Sequence, residues 1–215
     1  EYCSNAVLLA PGTRYRRLGV PGEEDLIGAG IHFCATCDGP FYKDREVVVV
    51  GGGNSGVEEG LFLTKFATKV TVIEFNDQLG ASQILREKAD RHPKVEIKLG
   101  KAVQQFKGTG HLESIIIQDR ATGENGELFP AAAFIFIGLD PNTAFVKDLI
   151  ETDKYGFITT SGTMETSLEG VFAAGDARGG STKQVASAVG EGATAALMIR
   201  NYLEKQQGNR GYKGD

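Results

Sequence analysis

The chain has 215 residues, 41% of them hydrophobic and 24% charged, with 29 glycines and a formal net charge of −5. That length holds one large domain or two small ones of a turn-rich α/β kind, and the acidic balance with no basic run ahead of the tail argues against a nucleic-acid partner. No apolar stretch approaches the length that spans a bilayer, residue 1 does not open a signal peptide, and three cysteines, two of them in a CxxC, fit the reducing cytoplasm better than a disulfide-stapled secreted fold.

Ala6 to Ala10 is a short apolar run that predicts a buried strand, closed by Pro11-Gly12-Thr13. A parallel strand needs neighbours, and none precedes it. Arg14 to Gly30, rich in glycine and charge around Pro21-Gly22, is expected to be a linker crossing between domains.

Phe33-Cys34-Ala35-Thr36-Cys37-Asp38-Gly39 follows. Residues i and i+3 share one side of a helical turn, so Cys34 and Cys37 can close a small disulfide ring without reorganising the backbone. Backbone N–H groups at a helix start favour a thiolate. Asp38 comes directly after and is the group placed to hand a proton to a departing thiolate or to take one up. The alternatives are two ordinary buried cysteines, or a zinc site. Zinc would need further ligands from Cys3, His32, His92 and His111, with no second CxxC to supply them.

Glu46 to Val50 is continuous and β-branched, as a strand buried on both faces is. It runs into Gly51-x-Gly53-x-x-Gly56 and an apolar-periodic helix to about Phe66. In that setting the glycines are a dinucleotide fingerprint, because they allow the turn and let a pyrophosphate approach the helix N-terminus. Gly51, Gly53, Asn54, Ser55 and Gly56 are therefore candidate cofactor residues; a tight turn without ligand is the plain alternative. The next strand, Lys69 to Ile73, delivers Glu74 about twenty residues past the turn, where a carboxylate can bond an adenine-ribose 2′-hydroxyl and repels a 2′-phosphate. A solvated Glu at a strand end is the competing reading.

A helix is expected over 81–91. Apolar stretches at Val95–Leu99, Ala102–Phe106, Leu112–Asp119 and Glu127–Phe129 then predict an antiparallel meander appended to the parallel sheet. His92 and His111 sit beside turn residues and read as surface. Ala132 to Ile137 is a further buried strand, entering Gly138-Leu139-Asp140-Pro141-Asn142-Thr143. Gly170 to Ala174 is a short apolar strand that delivers Gly175-Asp176 to its carboxyl end, where α/β folds place ligands. Lys183-Gln184-Val185 opens a helix to about Glu204, with a frayed polar tail over 206–215.

Taken together, Cys34-Ala35-Thr36-Cys37-Asp38-Gly39, Phe41-Tyr42, Val47 to Val50 and Gly51-Gly52-Gly53-Asn54-Ser55-Gly56 resemble the low-molecular-weight thioredoxin reductase family. The flavoprotein subunit of alkyl hydroperoxide reductase is the close second. The resemblance runs over nearly the whole chain. It implies an α/β protein of two Rossmann-like, three-layer domains, one for NAD(P)H and one for FAD. Residues 1–15 would be a remnant of the FAD domain's N-terminal half, 16–138 the NAD(P)H domain carrying the CxxC, and 139–205 the C-terminal part of the FAD domain, followed by the tail. The FAD domain is then expected to be incomplete at its N-terminus, without the first GxGxxG.

The same resemblance assigns roles. Gly138 lies in the return to the flavin domain, Gly175 and Asp176 meet the flavin ribitol and phosphate, and Lys183, Gln184 and Val185 meet the isoalloxazine edge. Electrons pass from NAD(P)H through FAD to the Cys34–Cys37 disulfide by way of Cys37, and Cys34 then attacks a partner disulfide, with Asp38 as acid/base. Glycines near Gly28–Gly30 and at Gly138 become candidate hinges for a domain swivel. NADPH-dependent members place His-Arg-Arg where this chain has Glu74-Phe75-Asn76, and many have Ala at Gly56. Glu-Phe is similar to the NADH-using hydroperoxide reductase subunit, so NADH is expected over NADPH. The implied partner is thioredoxin, or a glutaredoxin- or peroxiredoxin-linked carrier, and the implied assembly a homodimer. A nucleotide-binding regulatory relic without redox turnover is the rival from another class; Cys34, Cys37, Asp38, Asp176 and Gln184 together argue against such decay.

Overall fold

The computed structural model describes residues 2–211. They form two compact units, one of residues 15–138 and the other of the stretches up to Arg14 and from Leu139 onward. In chain order the elements begin with β1 (Val7–Leu9), β2 (Thr13–Tyr15), β3 (Ile31–His32), α1 (Ala35–Asp38), β4 (Glu46–Val50), α2 (Asn54–Leu63) and β5 (Lys69–Ile73). They continue with α3 (Gln83–Asp90), β6 (Val95–Lys98), β7 (Lys101–Lys107), β8 (Ser114–Asp119), β9 (Asn125–Leu128) and β10 (Ala132–Ile135). The last are β11 (Leu139–Pro141), which pairs with β2, then β12 (Val171–Ala173) and α4 (Val185–Gly211).

The 15–138 unit is built on a parallel sheet of order β3-β10-β4-β5-β6. Alternation along its central strands divides two cores. Val47, Val49, Val70 and Val72 face Val57 and Leu63 of α2 and Ala89 of α3. Val48, Val50 and Ile73 face the second layer, the antiparallel sheet β7-β8-β9, through Val103, Phe106, Ile115 and Ile117. Buried on both sides, β4 and β5 have no polar face to offer, which is why they read as unbroken β-branched runs. The layering is helices, parallel sheet, meander.

Two expectations are corrected here. Val95–Lys98 does not open the meander; α3 returns the chain alongside β5, so β6 joins the parallel sheet with Val70 opposite Val95. Nor is Arg14 to Gly30 a linker. Leu26 is in the core, and the Glu23 carboxylate, 1% exposed, accepts from the amides of Leu18 (3.0 Å) and Gly19 (2.7 Å). The Phe106 amide donates to Pro21 O (3.0 Å) and that of Leu112 to Ala29 O (2.9 Å), binding the segment to the meander. Gly28–Gly30 therefore lies inside this unit.

In the other unit β1 finds its parallel partner far along the chain, in β12, with Val7 opposite Val171 and Leu9 opposite Ala173. Small cores gather around Ile158, Ala173 and Val146, and around Phe172, Ala195 and Tyr202. Val7, Leu8, Val185, Val189 and Leu197 remain exposed on β1 and α4. α4 runs on to Gly211, past Glu204 and into the stretch expected to fray; residues 212–215 lie outside the described residues.

Candidate active site

β3 and α1 position the two thiols. Cys34 leaves the sheet in extended conformation and caps α1, and its Sγ accepts the Cys37 amide at 3.1 Å. Cys34 and Cys37 form a disulfide, with Cα atoms 5.3 Å apart. Cys37 is exposed and Cys34 half-buried. An amide already aimed at Cys34 Sγ stabilises negative charge there once the bond is opened, which makes Cys34 the better-supported thiolate. Phe33, just before it, is stacked on Tyr15 and capped by the Arg17 guanidinium at 4.3 Å, so the strand entering the CxxC is fixed.

Asp38 closes α1. Its Oδ2 lies 3.5 Å from Nδ1 of the buried His32, whose Nε2 is 2.6 Å from the Tyr42 hydroxyl. Burial pulls the His32 imidazole below its ordinary value, and the Asp38 carboxylate opposes that less strongly. Burial, and secondarily Asp38, push the Tyr42 phenol up. Sequence reasoning treated His32 only as a spare zinc ligand; its role beside Asp38 has no signal in linear spacing.

The glycine turn sits at the carboxyl end of β4. Gly51 takes φ +116°, and its amide donates to Ile73 O at 2.9 Å. A Cβ at Gly56 would stand 1.9 Å from Gly51 O, so only glycine lets α2 start this close to the strand. Gly53 caps α2, and Asn54 and Ser55 are exposed in its first turn. Asn54 Oδ1 accepts the Ser82 amide at 2.7 Å. The free amides of that turn are what a pyrophosphate would meet.

Glu74 is where the sequence places it, at the end of β5, but it is buried and already employed. Its Oε2 accepts the Gly52 amide at 2.6 Å, and its Oε1 accepts the Asn76 amide at 2.8 Å and the Asn76 side-chain amide at 2.7 Å. Gly52 and Asn76 are thus partners that the motif reading missed. So is Arg120, which packs over the exposed Phe75 ring at 3.7 Å and donates to Phe75 O at 2.9 Å. It brings a guanidinium to the strand end where the local sequence offers no base.

In the other unit, β12 delivers Gly175 and Asp176 into a short 3₁₀ turn. Gly138 O accepts the Arg16 amide at 3.1 Å, at the boundary of the 15–138 unit. Lys183 does not head α4. Its Nζ turns back to donate to Asp176 O (2.7 Å) and Arg178 O (2.9 Å), and burial lowers its pKa. The helix opens at Val185, beside Gln184, both exposed. Glu191 of α4 accepts the Gly175 amide at 2.8 Å and pairs with Arg178 at 2.8 Å; the guanidinium holds its carboxyl below the usual range.

Residues 1–192 match the pyridine nucleotide-disulphide oxidoreductase family. The chain belongs to that family. Thioredoxin reductase of Bacillus subtilis (strain 168) is 42% identical over 208 residues, covering 96% of this chain and 66% of that protein. Thioredoxin reductase of Peptoclostridium litorale is 42% identical over 211 residues, covering 95% and 67%. Among solved structures, thioredoxin reductase from Streptococcus pyogenes MGAS5005 is similar with a TM-score of 0.88 at 42% identity, over 93% of this chain and 66% of that one. The chain spans about two thirds of the length of the relatives it matches.

The family implies FAD and a pyridine nucleotide. The residues present fit both. Among the described residues, Asp176 Oδ1 is a buried side-chain oxygen with no hydrogen-bond partner, an open acceptor that a flavin hydroxyl would fit. The glycine turn and the first turn of α2 present the amides that a dinucleotide needs.

Proposed function

We propose that the protein containing this chain is a disulfide reductase that carries electrons from NADH, in preference to NADPH, by way of FAD to the Cys34–Cys37 disulfide and on to thioredoxin. The observation that carries the proposal is the helix-capping disulfide, with Asp38 behind it, in the same compact unit as a dinucleotide turn. When bound, nicotinamide and flavin supply the electron pair. The chain's own residues do the rest. Opening the disulfide leaves a thiolate on Cys34, held by the Cys37 amide, and a thiol on Cys37. Cys34 attacks the partner's disulfide, one partner sulfur leaves as a thiolate, and Asp38 supplies its proton. Asp38, now ionised, takes the Cys37 proton, and the Cys37 thiolate attacks Cys34 Sγ; the second partner sulfur leaves and takes up that proton, which releases the partner as a dithiol and restores the Cys34–Cys37 bond.

By resemblance the protein is a cytoplasmic homodimer, and a peroxiredoxin-linked carrier is the alternative partner. Gly51, Gly53, Asn54, Ser55, Gly56 and Glu74 hold the nicotinamide nucleotide; Gly138, Gly175, Asp176, Lys183, Gln184 and Val185 serve the flavin side. Lys183 does so as a brace on the Asp176 loop. Arg120 beside Phe75 is the one observation that favours NADPH, since it could meet a 2′-phosphate.

Turnover of thioredoxin by the full-length gene product tests the proposal. Cys34→Ser and Cys37→Ser should each reduce it to background, and NADH should exceed NADPH in kcat/KM by about tenfold, roughly 1.4 kcal/mol. Because Glu74 also braces Gly52, Glu74→Ala is read by the NADH/NADPH ratio, which should fall. Disulfide reduction unchanged in both serine variants would overturn the reductase reading. A strong NADPH preference lost in Arg120→Ala would overturn the NADH one.

A further inference from the structure

β3 is only two residues long, yet it fixes His32 two residues ahead of Cys34. The imidazole is buried against the Phe134 ring of β10 (5.4 Å between centroids) and the Tyr42 ring (5.3 Å). Among the described residues, the titratable groups in contact with it are Asp38 from α1 and Tyr42 from the following 3₁₀ turn; the Phe134 ring of β10 is apolar. Tyr42, His32 and Asp38 therefore make a chain of proton-carrying groups that ends at Asp38, the residue directly after Cys37.

A neutral imidazole carries one N–H. With Asp38 ionised, a hydrogen on Nε2 would leave the Nδ1 lone pair facing a carboxylate. The favoured arrangement has the Tyr42 hydroxyl donating to Nε2 and the Nδ1–H turned toward Asp38. If Asp38 takes up a proton, the pattern inverts: its O–H faces Nδ1, and Nε2–H donates to the Tyr42 oxygen. In both states each His32 ring nitrogen faces a complementary group, so a proton change at Asp38 strands neither of them.

We propose that His32, held by Tyr42, is a positioning residue for Asp38: it steadies the carboxylate by exchanging tautomers with it, and its protonation is linked to the redox state of Cys34–Cys37. The inference rests on reading that pair as redox-active. Reduction leaves a thiolate within the stretch that runs from His32 to Asp38, and added negative charge there makes the imidazole easier to protonate. By reciprocity, protonating His32 favours the reduced pair.

The test is an imidazole ¹H–¹⁵N titration of the full-length protein labelled at histidine, in the disulfide form and after reduction with dithiothreitol, with the His32 signal assigned through His32→Gln. The neutral form should show the proton on Nδ1, and its titration midpoint should move upward on reduction. Cys34→Ser/Cys37→Ser should abolish that movement, and Tyr42→Phe, which keeps the ring, should yield mixed tautomers. A midpoint identical in both redox forms, or a neutral His32 protonated on Nε2, would overturn the proposal. None of these readouts requires thioredoxin turnover, so failure of the partner assignment leaves a distinct result.

Discussion

At Gly56 the backbone decides the residue. The Gly51 carbonyl lies where a Cβ would be, and that oxygen belongs to a turn pinned by its amide to Ile73, so it cannot easily move away. Gly56→Ala should therefore cost about 1–3 kcal/mol, as overpacking does, and should weaken nucleotide binding, because α2 would be pushed off the strand end. Thermal melting with and without NADH checks both; an unchanged Tm would mean that the turn relaxes. Residues of this kind are readable in a sequence because spacing records the steric need. Glu74 is readable only in part: its place at the end of β5 follows from the motif, whereas its bonds to Gly52 and Asn76 depend on how the chain folds back. His32 and Arg120 are beyond such reading. Their partners, Asp38 and Phe75, are met only when a two-residue strand and a meander turn have taken their places.

Among elements, Glu46–Val50, continuous and β-branched, announces a strand buried on both faces and Lys69–Ile73 the next strand, and the structure agrees to the residue on both spans. Val95–Lys98 defeats the same reasoning because an edge strand of a parallel sheet and a strand of a meander show one alternation. Arg14 to Gly30 defeats it because burial of a charged side chain, Glu23, is the opposite of what composition suggests. α4 carries a comparable hidden brace. Glu191 ties the Gly175 amide and Arg178 to the helix, so it shapes the turn that presents Asp176. Its carboxyl is held below the ordinary value of 4.5, first by the Arg178 hydrogen bonds. Folding thus binds fewer protons than the unfolded chain there, and the stability this supplies is full above about pH 4.5 and lost as pH falls through the lowered native value. Glu191→Gln should cost about 1–3 kcal/mol at neutral pH and flatten that acid limb, as followed by circular dichroism during acid titration. An acid limb as steep as the parent's would show that Glu191 is not its source.

For the whole molecule, pairing of β1 with β12 joins stretches from opposite ends of the chain, a contact that local pattern cannot contain. The proposed electron path ends on Cys34–Cys37. An anaerobic titration of the full-length, flavin-loaded protein with NADH, followed by visible absorbance, tests that path most directly. Full reduction is expected at about two equivalents of NADH per flavin, one pair of electrons for the flavin and one for the disulfide, and at about one equivalent in Cys34→Ser/Cys37→Ser. Bleaching complete at about one equivalent in both proteins would contradict it, because the disulfide would then lie off the path.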